Sequence, residues 1–583
     1  MKKALSLVLV MIMIASVITG CTTLKGEDKG AIIDMYITTE LFNFDPQASV
    51  TDDAMLKINS LIYEGLTTIN QKGKWEKALM KDYEIEKDKN GEFSILVYLN
   101  STCWSDGRTV QAADFVYSWK RLLDANNKNE AASLLYEIKN AYDIKMGDAS
   151  IDDLGVAAVD TYTLQIEFET KVDLDQFFEN CSSIALVPLR EDVISRYGED
   201  EWAAKSTYIV TNGPFAPKGM TAHKILRIER SGYYYLDKEK NEPLDKYVIP
   251  YRLLIDYTIG DAEDQLKAFE EGKLFYIDEL PLSARADYKD EATVTDMMTT
   301  HTYFFNTANE LFADANVRKA LSMAIDRNEI VSIVTFAKAA TGYIPYKVFD
   351  SKTGTSFREV GGDILSTTAD VEGAKKLLAD AGVKGGSFTL TVKDNEVDVA
   401  IAEYVADVWE DLGFDVTVDA LGAKRSQNDE EIYVDQFQLA YDAGEFDVIA
   451  IDMNMLSTDA FSALSQFAVP FSGGGVDMYS ETYDLYTHVT GYASEAYDAI
   501  IEQAFAEKDR AKRAAILHEA EQMLLDDMPV IPLVFLQDAY LVHDDISGMK
   551  NTYYGTRDFK DTKLKNYMDY KAATAQTEVV AED

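Results

Sequence analysis

Beyond residue 300 two hydrophobic periods alternate along the chain. Val317, Ala320, Leu321, Ala324 and Ile325 recur at the spacing of one helix face, and Ala374, Leu377, Leu378 and Ala381 do the same before Gly382, a predicted helix end. Ala402, Val405, Trp409 and Leu412 predict another helix stopping at Gly413, after which Phe414, Val416 and Val418 alternate as a strand. Asp447-Val448-Ile449-Ala450-Ile451 reads as a buried strand. Ile516, Leu517, Ala520, Met523 and Leu524 predict a long helix, followed by an apolar strand over 530–536 bracketed by Pro529 and Pro532. This βαβ alternation implies a sheet covered by helices, an α/β fold. The earlier half mixes elements less regularly, with strands predicted at 31–38, 93–99 and 163–168 and a helix over 113–123. Residues 571–583 are rich in Ala, Thr and Glu without periodicity and read as a frayed tail.

One apolar run stands apart. Residues 4–18 carry no charge, follow Lys2 and Lys3 and end at small residues, which is the layout of a signal peptide and short for a membrane span. Ile18-Thr19-Gly20-Cys21 completes a lipobox, so Cys21 is the expected mature N-terminus, its lipid holding a soluble domain at a membrane face. The expected location is extracytoplasmic, at the outer face of the cytoplasmic membrane or in the periplasm. The 583 residues suffice for two or three domains, and 34 Tyr with 26 Phe supply a large core. A formal net charge of −44 repels another polyanion and argues against nucleic acid as a partner.

Candidate chemistry is sparse. With Cys21 lipidated, Cys103 and Cys181 remain, as a pair in an oxidising compartment or as two buried free thiols, the latter being the simpler expectation. His518-Glu519 sits in a helical pattern, but Gln522 stands where a zinc motif needs His, so His518 is expected at the surface. Neither a phosphate-cradling glycine loop nor a nucleophile elbow occurs, and Gly473-Gly474-Gly475 lacks the strand-to-helix context of one. The residues predict no cofactor, no metal and no catalytic constellation, and argue against an enzyme.

Seven segments, in order, resemble the dipeptide/oligopeptide/nickel class of solute-binding proteins of ABC importers. They are Asn43-Phe44-Asp45-Pro46; Tyr63-Glu64-Gly65-Leu66; Trp104-Ser105-Asp106-Gly107 with Asp114-Phe115-Val116-Tyr117-Ser118-Trp119 and Lys120-Arg121; Asp153-Leu154-Gly155-Val156 with Tyr162-Thr163-Leu164; Thr211-Asn212-Gly213-Pro214-Phe215; Phe304-Phe305-Asn306 with Val317-Arg318-Lys319-Ala320-Leu321 and Asp326-Arg327; and 524–533 with Pro529-Val530-Ile531-Pro532. Each also has a structural reading as a turn or helix, and nearly all are expected to hold the fold without touching a ligand. The resemblance implies a two-lobed periplasmic-binding-protein-like fold with a hinge, closing on its ligand. It divides the chain into a signal peptide (1–20), a lipidated tether (21–30), a large lobe (31–300, with an inserted subdomain at about 55–205), a second lobe (301–530) and a return to the large lobe (531–583, tail about 572–583). The crossings are expected near 299–303 and 529–533.

The implied function is capture of an oligopeptide between the lobes and delivery to an ABC permease and ATPase complex. A non-peptide solute such as an oligosaccharide or metal chelate, or a surface signalling role, stays open beside it. Ligand-binding residues expected from position are Val50, Thr51 and Asp52 on the large lobe, with Ile451, Asp452, Met453, Asn454 and Leu456 after Phe446-Asp447-Val448, and His488. In the family's oligopeptide binders an Asp on that strand holds the peptide's ammonium; its position here is Leu456, with Asp452 and Asp459 nearby but shifted. The positions of cations that meet peptide carboxylates fall on Tyr441 and Ala450. The usual charged end-grip is therefore expected to be missing, whereas backbone pairing to an extended peptide needs no particular side chain.

Overall fold

The computed structural model describes residues 28–38, 43–48, 52–87, 93–199, 201–221, 225–425, 433–473 and 487–570. Five strands position the site: β1 (Ile32–Tyr36), β2 (Thr293–Phe305), β3 (Ser387–Lys393), β4 (Val448–Asn454) and β5 (Val530–Val542). They belong to one eleven-stranded mixed sheet that runs through both lobes of a two-lobed α/β fold. In the first lobe β1 lies parallel to Arg252–Asp256 and to the short strand Tyr276–Ile277. In the second lobe β3 lies parallel to Asp415–Leu421 on one side and to the start of β4 on the other.

The two lobes are joined by β2 and β5, antiparallel partners of 13 residues each. The last part of β2 pairs with β4, while Leu541 and Val542 of β5 pair with Tyr276–Ile277, beside β1. The late chain thus returns to the early strands. Pro532 lies inside β5 and not at its border. Proline has no N–H to donate, and the ladder shifts register between His301 and Thr302, where Thr302 faces Pro532. The strand then continues past the expected 536 to Val542.

The helices follow the hydrophobic periods. Ala315–Met323, Val371–Asp380, Arg510–Asp527 and α1 (Glu396–Glu410) turn the predicted faces inward, with Leu321, Ala374, Leu378, Trp409 and Leu524 buried. Asp314, Asp370, Asp509 and Asn395 precede them, each accepting a first-turn N–H, so part of the chain's acidity serves as helix caps. Another helix, Asp53–Ile62, precedes these in the chain and is called αN below. A separate four-stranded antiparallel sheet, Met80–Lys87, Phe93–Leu99, Thr163–Phe168 and Val156–Ala158, is accompanied by the helix Ala112–Leu123, which buries Phe115, Trp119 and Leu122.

The recurring family segments act mainly as fasteners. Asn212 grips Glu64 by both its backbone N–H and its carbonyl, and a Cβ on Gly213 would stand 2.5 Å from the carbonyl carbon of Ile62. The Trp104 indole N–H donates to Asp114 at 2.9 Å and Arg121 pairs with Asp45 at 2.7 Å. Arg318 and Arg327 are buried, and their guanidinium groups donate to carbonyls of Met528, at the end of the helix Arg510–Asp527, and of Pro532 in β5. Cys103 and Cys181 are free, and burial pushes the Cys181 thiol well up. His518 departs from its expected surface position: its ring stacks on Phe357 at 3.8 Å and Nε2 meets Asp350 at 2.8 Å, because Asp350 and Phe357 pack against this helix. Cys21 and the tail 571–583 lie outside the described residues, as do Gly474 and Gly475.

Candidate functional site

The helix αN begins at the cleft. Asp52 caps it, accepting the Met55 N–H at 3.1 Å, and Asp53 is its first residue, where the helix dipole favours an anion. Side chains leave a helix in several directions, and this one reaches three neighbouring cavities of about 180, 250 and 400 Å³. Leu56 and Ser60 line the first, Asp53, Ala54 and Lys57 the second, and Met55 the third, with Asp52 between the second and third.

The opposite wall comes from β4. Side chains alternate along a strand, so Asp452 and Asn454 face the cleft together, while Ile451 and Met453 point away into the core. Asp452 lines the 250 Å³ cavity; Asn454, Met455 and Leu456 line the 180 Å³ one. Among the described residues β3 pairs with β4 only at Val448 and Ile449, and the rest of β4 is paired by β2 on one side alone. Asp459 is occupied: it caps a helix and forms a two-bond pair with Arg513 at 2.9 and 3.1 Å. His488 lines none of the three cavities. It is buried against Phe304 and Phe467, its Nδ1 at 2.9 Å from the Thr490 hydroxyl, and burial pushes its pKa down to about 3. Tyr441 lines the 400 Å³ cavity, whereas Ala450 is buried. Val50 and Thr51 lie outside the described residues.

The 250 Å³ cavity gathers charged groups that local sequence did not single out. His301 on β2 faces Asp452 across the ladder, and Nδ1 lies 2.7 Å from the carboxylate. Lys393 closes β3, and Asp398 lies in the first turn of α1; both line the cavity. Lys57 pairs with Asp278 at 3.2 Å. Burial, then the charge of Asp452, pushes Asp53 up to about 6 and Asp398 likewise to about 6. Burial opposes ionisation of Asp452 as well, but His301 and Lys393 hold it below the usual carboxylate range. Burial disfavours the imidazolium of His301, yet Asp452 outweighs it and raises the pKa. In the neighbouring cavity Glu64 accepts from the hydroxyls of Tyr234 and Tyr235, each at 2.7 Å, and burial raises it. These residues sit on chain segments far apart in sequence, so no spacing rule could have grouped them.

A two-lobed fold with a lined cleft between the lobes defines a solute-binding protein. Residues 75–475 match the family of bacterial extracellular solute-binding proteins, family 5 Middle, and the chain belongs to that family, one of binding proteins and not of enzymes. It is similar to the oligopeptide-binding protein OppA of Bacillus subtilis, 28% identical over 94% of this chain and 97% of the relative. The dipeptide-binding protein DppE of the same organism is 27% identical, covering 89% of each chain. Among solved structures, Listeria monocytogenes OppA bound to peptide superposes with a TM-score of 0.75 at 22% identity, covering 92% of this chain and 99% of that one, a likeness of fold.

Proposed function

We propose that the chain is the lipid-anchored capture subunit of an ABC importer that takes an oligopeptide between its lobes and passes it to the membrane permease. In this reading residues 31–300 and 531–570 act as one lobe and 301–530 as the other, hinged through β2 and β5. The observation that carries it is the open edge of β4 beside the cavities around αN. Backbone N–H and C=O groups on an unpaired strand edge pair with an extended peptide, whatever its side chains. The relatives named for oligopeptides and dipeptides support the same ligand class. Mass spectrometry of small molecules released by denaturing the purified protein tests it. Peptides of a few residues are the expected result; an oligosaccharide or a metal chelate would replace the reading. The anchor has its own test, since Cys21→Ser should release the protein from the membrane fraction, and unchanged attachment refutes the lipid.

A further inference from the structure

The 250 Å³ cavity is short of positive charge. Carboxylates outnumber Lys and Arg side chains seven to three in its lining, among the described residues. Several of these acids are engaged: Asp278 by Lys57, Asp538 by Arg557, Asp452 by His301, and Glu279 by the Tyr36 hydroxyl at 2.7 Å. Asp52 caps αN, and Asp53 and Asp398 remain, one from each wall; Lys393 faces both, and Lys57 also faces Asp53. Two further observations mark a place for a ligand. Oδ1 of Asp53 is enclosed without a hydrogen bond, the Asn454 amide facing the carboxylate but outside bonding geometry, and Nε2 of His301, a ring only 1% exposed, also has no partner. The offered atoms of His301, Asp398 and Asp452 lie within 4.8 Å of one another, a span that one nitrogen covers with hydrogen bonds of about 2.9 Å.

We propose that this cavity is the subsite for a cationic group of the bound solute, an ammonium or guanidinium, held by Asp53 from one lobe and by Asp398 and Asp452 from the other. This rests on reading the cleft as the peptide site, and it names the charge the peptide must carry. Closure without such a group brings Asp53 towards the carboxylates of the second lobe, like charges in a poorly solvated space. A ligand cation turns that repulsion into a bridge between the lobes, so recognition and closure become one event.

The test uses the full chain stripped of co-purified ligand and titrated by calorimetry with matched peptides. In the set, lysine is replaced by norleucine at each position in turn, with N-termini free or acetylated, and nickel and zinc chloride alone form a separate arm. Neutralising one particular cation should weaken binding by about tenfold or more. Loss on acetylation assigns the α-ammonium, and loss on norleucine substitution assigns a side chain. Asp53→Asn and Asp398→Asn should each reduce the ratio of affinities for the cationic peptide over its neutral partner to near one. Equal binding of cationic and neutral peptides, or a preference that survives both substitutions, overturns the subsite alone. Metal binding that both substitutions abolish also overturns it. Failure of every peptide to bind overturns the peptide reading, and the subsite with it.

Discussion

Arg358 and Glu521 meet at 2.6 Å in the second lobe, 1% and 0% exposed, and the N–H groups of Tyr343 and Ile344 donate to the same carboxylate oxygen. The guanidinium lies so close to the chain that a Cβ on Gly342 would fall 1.5 Å from it, so only glycine fits there. Asp398 is buried almost as deeply at the cleft, but its neighbourhood holds an excess of carboxylate and an enclosed oxygen of Asp53 without a hydrogen bond. Both places carry buried charge, which is costly without compensation. In the lobe one guanidinium meets one carboxylate and the pair fastens the fold, although Oε2 of Glu521 and Nε and Nη2 of Arg358 are themselves enclosed without partners. The difference at the cleft is one of charge count, since acids there outnumber bases, and the proposed subsite assigns that excess to a cation from outside.

If that contrast is right, substitution should have opposite consequences in the two places. Arg358→Ala strands Glu521 in the core and should cost about 3–5 kcal/mol of stability, read from urea unfolding. Asp398→Asn removes an uncompensated charge and should leave stability unchanged or raise it, while weakening the cationic ligand. Equal destabilisation by both would erase the distinction. Leu456 sharpens it from the other side of αN. Leu456→Ala opens space in an already lined cavity and should cost about 2 kcal/mol, with no effect on preference for a cationic peptide. A changed charge preference would move the recognition site to Leu456.

Proton linkage gives a smaller signal. Asp53 and Asp398 are raised to about 6 in the fold against an ordinary value near 3.9, so the folded chain keeps protons that the unfolded chain has lost. Their contribution is fully present below about pH 4 and declines as pH rises to about 6, by about 1–3 kcal/mol in all. Asp278, also raised to about 6, acts in the same direction, and Asp452, held low, acts in the opposite one. The groups facing Asp53 are Asp452, Lys57 and Lys393, and those facing Asp398 are Asp452, His301 and Lys393. Urea midpoints measured from pH 4.5 to 7 should therefore fall less in the Asp53→Asn/Asp398→Asn double variant than in the parent, and parallel curves would contradict the assignment. The smallest effect belongs to Asp52→Ala, which removes a helix cap at a cost of about 1 kcal/mol. A loss of ligand binding far beyond that would make Asp52 a contact and not only a cap.

Much of the fold was legible in single residues and their spacing. The strand Phe93–Leu99 and the helices ending near Gly382 and Gly413 follow from hydrophobic period and glycine placement, which act within a few residues of each other. The motif residues also behave locally: Asp114 reaches back to the Gln111 N–H, and Gly213 leaves room for the end of αN. Pro532 shows the limit of such reading, because a long pairing with β2 absorbs a residue that by itself would end a strand. The cleft lies beyond that limit. Asp452 was visible on its strand, and Asp52 at its turn, but His301, Lys393, Asp398 and Asp53 join them only because β2, β3, β4 and two helix starts converge there. Sequence alone determined the elements and the family, since period, turn chemistry and caps are short-range. Tertiary structure decided which carboxylates face the cleft and which stay uncompensated, since burial and charge balance depend on distances in space between residues up to several hundred positions apart.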